Sequence, residues 1–181
     1  MLLERRDSTS FDLMQILSER IHQHLRKIST FSGANSIGCY YSIGSEVQTK
    51  AIIQELISQK KQVSLPKVED DTIVFRTVKN FDRLEKGSFG ILEPKDDWPE
   101  EKSFDVILVP AIGLTKDGVR LGYGHGYYDK FLADKSVTKI ALRQMLLEKR
   151  DSTSFDLIQI HSEKIYSRLK KIKSFSNANS I

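Results

Sequence analysis

The sequence predicts a three-layer α/β protein, with a mostly parallel sheet flanked by helices. Three observations lead there. Strand-like and helix-like segments alternate through the middle of the chain, which favours parallel pairing. Asp105–Val109 carries an apolar run, unbroken after Asp105 and closed by Pro110, the signature of a strand covered on both faces. The 181 residues, 39% hydrophobic and 29% charged, supply one ordinary globular core rather than a disordered tract.

The elements follow in order. Ser36–Ser42 is β-like and ends at Gly44. Val47–Ser58, with Ile52, Ile53, Leu56 and Ile57 on one face, suits a helix after that strand. Gln62–Leu65 predicts a short strand halted by Pro66, and Thr72–Val78 predicts a second, its alternation broken by Arg76. Glu93–Lys102, with Pro94 and Pro99, reads as a surface connection carrying the single tryptophan, Trp98. Val137–Leu142 offers a further strand after the central one.

The two ends of the chain repeat one another. Residues 1–37 and 145–181 align without gaps and are identical at 26 of 37 positions, with no third copy between them. Each copy reads as an amphipathic helix. In the first, Leu13, Ile16, Leu17, Ile21, Leu25 and Ile28 predict one apolar stripe; Ser8, Thr9 and Ser10 offer N-caps, with Thr9 and Asp12 approximating a capping box. The second copy keeps Leu157, Ile160, Ile165, Leu169 and Ile172 and places His161 where Leu17 stood.

Charge and cysteine content narrow the function. Lys and Arg number 28 against 24 Asp and Glu, a net +4 spread along the chain without a basic block. A nucleic-acid footprint is therefore disfavoured, since no basic face interleaved with aromatics is visible. A small polyanionic ligand suits the modest excess better. One cysteine, Cys39 in an apolar run, excludes an internal disulfide or a cysteine zinc cluster. No apolar run reaches the length of a membrane span, and the charged start MLLERRDSTS has no signal-peptide core. The expectation is a soluble, cytoplasmic protein.

Chemistry concentrates in Arg120–Asp129, RLGYGHGYYD. Glycines at 122, 124 and 126 can take positive φ and let backbone N–H groups converge on an anion. Tyr127–Leu132 predicts the first turn of a helix, adding free donors. Asp129 suits a divalent cation bridging phosphate oxygens, and Arg120 and Lys130 bracket the loop with positive charge. The dinucleotide fingerprint fails because Tyr127 replaces its third glycine, and no Walker A string is present. Glycine count alone would describe only a strand-to-helix turn.

The full string RLGYGHGYYDKFL closely resembles the signature of the 5-formyltetrahydrofolate cyclo-ligase (methenyltetrahydrofolate synthetase) family. DVILVPAIGLTKDG before it, SIGSEVQT at 42–49, VSLPKV at 63–68 and KGSFGILEP at 86–94 match that family in order, so the resemblance spans roughly residues 1 to 142. His125 for a glycine and Lys130 for an arginine are small departures. The resemblance implies a Rossmann-like cyclo-ligase fold and an ATP- and Mg2+-dependent cyclisation of 5-formyltetrahydrofolate, with or without a polyglutamate tail, to 5,10-methenyltetrahydrofolate with release of ADP and phosphate. It implies that Gly122, Tyr123, Gly124, His125, Gly126 and Tyr127 bind ATP, together with Lys139 and Arg143. Asp129 would bind Mg2+. Glu46, Trp98 and Tyr127 would hold the folate, and Arg120 and Tyr128 would act in catalysis. Tyr40, Tyr41 and Trp98 read equally as flat ligand surface or as core.

Two departures bear on organisation. The family's opening KxxLR motif stands not ahead of Met1 but at Lys139–Arg143, and the family's C-terminal region, with its closing strand and second metal-binding aspartate, finds no counterpart. The expected division is a cyclo-ligase-like α/β domain at 1–138 and a repeated helical segment at 139–181. KIAL then reads as the end of a strand, as the start of an ATP-contacting helix, or as the joint of a chimera. The resulting expectations are an active ligase, as a monomer or swapped homodimer, or a catalytically impaired nucleotide- or folate-binding remnant.

Overall fold

A computed structural model describes residues 4, 7–115 and 119–143 and the backbone of 158–159. Its elements are α1 (Phe11–Leu25), α2 (Ser29–Ser32), β1 (Ser36–Gly38), α3 (Lys50–Ser58), β2 (Gln62–Glu69), β3 (Thr72–Val78), β4 (Glu85–Lys86), β5 (Leu92–Glu93), β6 (Glu100–Glu101), β7 (Val106–Pro110), β8 (Gly113–Leu114), β9 (Arg120–Leu121), α4 (Tyr127–Leu132), β10 (Thr138–Leu142) and β11 (Ile158–Gln159). The main sheet runs β11-β10-β7-β1-β2-β3-β6. Its centre, β10-β7-β1-β2, is parallel, while β3, β6 and β11 add antiparallel edges. The expected mostly parallel α/β sheet is the one observed.

Side-chain alternation on these strands builds two cores. Ile37, Val63, Leu65, Val106, Leu108, Ile140 and Leu142 face α1 and α3, whose Ile21, Leu25, Ile52, Ile53 and Leu56 close that layer. Phe75, Ile107 and Val109 face the other way, against Leu132 of α4. Residues 106–109 are fully buried, which explains the unbroken apolar run in the sequence. Asp105 fastens the neighbouring strand starts, accepting the N–H groups of Asn35 and Ser36 at 2.7 and 3.0 Å. Those donors hold its carboxyl below the usual range.

Several local expectations are corrected. The buried face of α1 is Met14, Leu17, Ser18, Ile21, His22 and Leu25, whereas Leu13 and Ile16 are exposed at 38% and 52%. Two polar residues, Ser18 and His22, stand inside the stripe because each has a partner there, and an apolar count alone rotates the helix by about one position. Of the three cap candidates Ser10 is the one used, its hydroxyl accepting from Leu13 N at 3.4 Å, so the Thr9–Asp12 capping box does not form the cap. β1 stops at Gly38 and α3 begins at Lys50, so 39–49 is a loop over the sheet edge.

β2 runs through Pro66 to Glu69. Cys39 N donates to Ser64 O, so alternation turns the Pro66 nitrogen to the same side, beyond the last β1 residue, where no ladder donor is required. Glu93 and Trp98, read as surface, are buried, and Glu100–Glu101 forms β6. The division expected at 138/139 falls inside β10. Ile158–Gln159 is strand, antiparallel to β10, although the corresponding residues of the first copy are helical: the open edge of β10 offers a backbone partner. The other second-copy positions, His161 included, lie outside the described residues. Among the described residues no helix is long and apolar enough to cross a membrane.

A histidine couples α1 to α3. His22 Nε2 lies 2.9 Å from Glu55 Oε2, and Arg26 Nε reaches both Glu55 oxygens at 3.0 and 3.1 Å. Burial lowers the His22 pKa below 6.5 in spite of Glu55, so at neutral pH this contact is a hydrogen bond from a neutral imidazole. Glu55 is lowered too, chiefly by its hydrogen bond from Arg26. A folded pKa below the unfolded one contributes stability present above the unfolded value and lost as pH falls. Melting temperature is therefore expected to fall as pH drops from 7.5 through 6.5 to 5, and His22→Gln should flatten that part of the profile in thermal melts.

Candidate functional site

The site grows from the carboxyl edge of the parallel strands, where open α/β sheets bind ligands. β7 ends at Pro110, and the chain returns through the small β8–β9 hairpin to the glycine loop and α4. Gly124 and Gly126 sit at φ +98° and +72°, conformations that cost a residue bearing a Cβ about 1–2 kcal/mol. Gly126 also caps α4, which places Tyr127, Tyr128 and Asp129 in its first turn.

Arg120 holds this loop to the sheet. Its side chain is 5% exposed. One guanidinium nitrogen donates to Asp129 Oδ1 at 2.5 Å and another to Pro110 O at 3.0 Å. The group also lies 5.8 Å from the Tyr128 ring. Arg120 Nε and the Tyr128 hydroxyl are buried and find no hydrogen-bond partner among the described residues, which leaves both donors unused at this edge.

The loop after β1 supplies the facing wall. Glu46 is buried, and its Oε2 accepts from Ile43 N at 3.0 Å. Burial, then the nearby Glu46 carboxylate, pushes both the Tyr40 and Tyr128 hydroxyls far above the usual phenol range, so both stay protonated. Tyr40 donates to Val47 O at 3.1 Å. Ser18 of α1 ties this loop down: its hydroxyl donates to Met14 O at 2.7 Å and accepts from Gln48 N at 2.9 Å.

The structure thus gathers Glu46, Arg120, the glycine loop, Tyr128 and Asp129 at one edge. Gly122, Tyr123, Gly124, His125 and Gly126 line its open side, where the Tyr127 ring lies parallel to the His125 ring, 5.7 Å away. Other sequence-expected residues stand apart. Trp98 packs in the core, with Arg83 5.7 Å from its ring. Lys139 is fully buried in β10, where its ammonium donates to Lys135 O at 2.7 Å and burial lowers its pKa. Arg143 follows Leu142, whose register partner is Pro110, so its backbone reaches the site's edge of the sheet. Cys39 is buried and its thiol is pushed well up by burial, which fits packing rather than nucleophilic use. The groove lined by His22, Arg26, Glu55 and Lys61 lies by the strands' amino ends, away from this chemistry.

Phe89, to which the sequence reading gives no role, also stands at this open side. Phe89 is 61% exposed at φ +57°, and its ring is 4.8 Å from that of His125. The available signal was an aromatic residue in the turn string Gly-Ser-Phe-Gly.

Among the described residues no three His, Cys, Asp or Glu side chains cluster as a metal cage. Asp129 alone fits only an ion that brings its other oxygen ligands with it, and Mg2+ carried on phosphates and water is of that kind.

These features define an α/β protein whose candidate site is a carboxyl-edge glycine loop over the Arg120–Asp129 pair. The sequence profile of the 5-formyltetrahydrofolate cyclo-ligase family matches residues 1–142, and the chain belongs to that family. A 5-formyltetrahydrofolate cyclo-ligase of Haemophilus influenzae is 32% identical over 120 residues, covering 63% of this chain and 64% of that protein. A probable 5-formyltetrahydrofolate cyclo-ligase of Caenorhabditis elegans is 28% identical over 126 residues, covering 64% and 61%. The chain thus spans about three fifths of the length of these relatives. The solved structure of Aquifex aeolicus 5,10-methenyltetrahydrofolate synthetase superimposes with a TM-score of 0.72 at 28% identity, covering 88% of this chain and 82% of that one. The Mycoplasma pneumoniae synthetase shares the fold at a TM-score of 0.62 and 23% identity.

Proposed function

We propose that this chain cyclises 5-formyltetrahydrofolate to 5,10-methenyltetrahydrofolate with ATP and Mg2+, releasing ADP and phosphate. The observation that carries the reading is the Arg120–Asp129 pair beneath a glycine loop held open by two positive-φ glycines, facing Glu46 across the sheet edge. The formyl oxygen attacks the γ-phosphorus and ADP leaves; N10 then attacks the formyl carbon, loses its proton, and phosphate departs. An amide-type oxygen leaves poorly until phosphorylated, so positioning and charge neutralisation carry most of the catalysis.

Each residue has a role in that scheme. The amides of Gly122–Tyr127 cradle phosphate oxygens, and the Arg120 fork offsets their growing negative charge. The buried Glu46 carboxylate, acceptor-only, suits the N–H edge of a pterin. The protonated Tyr128 hydroxyl donates to the ligand from beneath the loop. Asp129 would hold Mg2+, which supplies charge neutralisation at the phosphates. A reducing, cytoplasmic setting suits a chain whose sole cysteine is a buried thiol.

The test is methenyl absorbance with purified full chain, 5-formyltetrahydrofolate, ATP and Mg2+. Turnover is expected, and Asp129→Asn should lower kcat about 100-fold or more, by analogy with loss of one charge-stabilising group, beyond the fall in melting temperature that loss of the Arg120 ion pair brings. Tight ligand binding without turnover would instead assign the chain as a non-catalytic binding relative.

A further inference from the structure

One amino-acid pattern takes two kinds of place in this fold. In the first copy of the repeat, Met14 and Gln15 are helical, within α1. Their counterparts in the second copy, Ile158 and Gln159, form β11, antiparallel to β10 opposite Ala141 and Ile140. So close a sequence in two structures means that the surroundings decide, and the fold offers two seats. One is the layer beside α3, where α1 lies. The other is the outer edge of β10, whose inner edge is paired to β7 along all five residues.

The copies differ on the face that decides between these seats. α1 buries Met14, Leu17, Ser18, Ile21, His22 and Leu25. The second copy repeats three of them, as Ser162, Ile165 and Leu169, and changes the others to Ile158, His161 and Tyr166. Leu17 is only 7% exposed, so an imidazole in its place gives up water that an isobutyl group never held. His22 fits because its Nε2 reaches Glu55 of α3 at 2.9 Å. A tyrosine at that depth overfills the gap and pushes the helix off α3. Ile158 acts in the other direction, since β-branching suits a strand better than a helix. The β10 edge makes none of these demands, because a strand docks there through its backbone N–H and C=O groups.

We propose that sequence sorts the two copies: the seat beside α3 admits the first copy through Leu17 and His22, and the outer edge of β10 is the docking surface for the second copy, which His161 and Tyr166 keep out of the helical seat. The copies share enough of one face to compete, so discrimination comes from rejection as much as from fit. An edge filled from within the chain leaves no bare strand for another molecule to pair with. The sorting is independent of what the glycine loop binds.

Hydrogen exchange on the full chain reads both seats. In the unmodified chain, exchange at solvent rate at both Ile158 and Gln159 overturns the strand seat; protection of at least one is expected. His161→Leu with Tyr166→His gives the second copy the first copy's residues and leaves α1 itself unaltered. The copies should then compete for the helical seat, and the amides of α1 should exchange about tenfold faster or more. Unchanged exchange in α1 overturns the sorting. A rescue experiment approaches it from the other side. Leu17→His with His22→Tyr should lower the melting temperature by roughly 6–12 °C. Adding His161→Leu and Tyr166→His should recover most of that loss, because the second copy then fits the vacated seat. Two residue pairs that served only their own local packing would give no recovery.

Discussion

Arg120→Met is expected to weaken the protein twice over, in stability and in turnover. The guanidinium bonds Asp129 and Pro110, so its removal leaves a carboxylate and a carbonyl at the loop base without their donor. Stranding one partner of a fully buried ion pair costs about 3–5 kcal/mol. Asp129 is 21% exposed and partly hydrated, so about 2 kcal/mol is the expected cost. For a chain of this size that lowers the melting temperature by roughly 4–8 °C. Under the proposed reaction the same variant loses the fork that neutralises phosphate, and kcat/KM should fall about 100- to 1,000-fold. Arg120→Lys keeps the charge without the fork and should recover only part of either loss. Melts and initial rates on the same preparations check both, and unchanged kcat/KM in Arg120→Met would remove Arg120 from the chemistry.

Ile107→Ala should produce the largest loss of stability. Ile107 is fully buried at the centre of β7, in the cluster that includes Phe75, Val109 and Leu132 of α4. Truncating it leaves a cavity in a layer with no solvent path, at about 3 kcal/mol. The melting temperature should drop by roughly 6–12 °C, against a few degrees for Ile107→Val. Since α4 carries Tyr128 and Asp129 and rests on this cluster, catalytic loss is expected to accompany the melting shift. Retained stability in denaturant and thermal melts would contradict the two-layer packing.

Much of this was legible in the sequence, and the physics explains which parts. Continuous burial makes Val106–Val109 uniformly apolar, so the central strand announces itself. The glycine loop is legible because Gly124 and Gly126 need conformations that other residues resist. The rotation of α1 was not, because Ser18 and His22 are buried by virtue of partners 30 or more residues away, in Gln48 and Glu55. The length of β2 was hidden for a similar reason: Pro66 is tolerated only because β1 is short, a fact about a neighbouring strand. Trp98, in a proline-bounded segment, read equally as ligand surface or core, and it closes the core. Phe89 was passed over because its placement beside His125 joins positions more than thirty residues apart in sequence.

The serine between α1 and the Glu46 loop has a further consequence. Its hydroxyl hydrogen is committed to Met14 O, so toward Gln48 the oxygen can only accept. A helix held by leucines alone could turn about its axis and re-seat at little cost. This one cannot, because a turn of one residue would carry the oxygen away from Gln48 N. Ser18 therefore works as an index mark: it sets the angular phase of α1 and transmits that phase to the wall that presents Glu46.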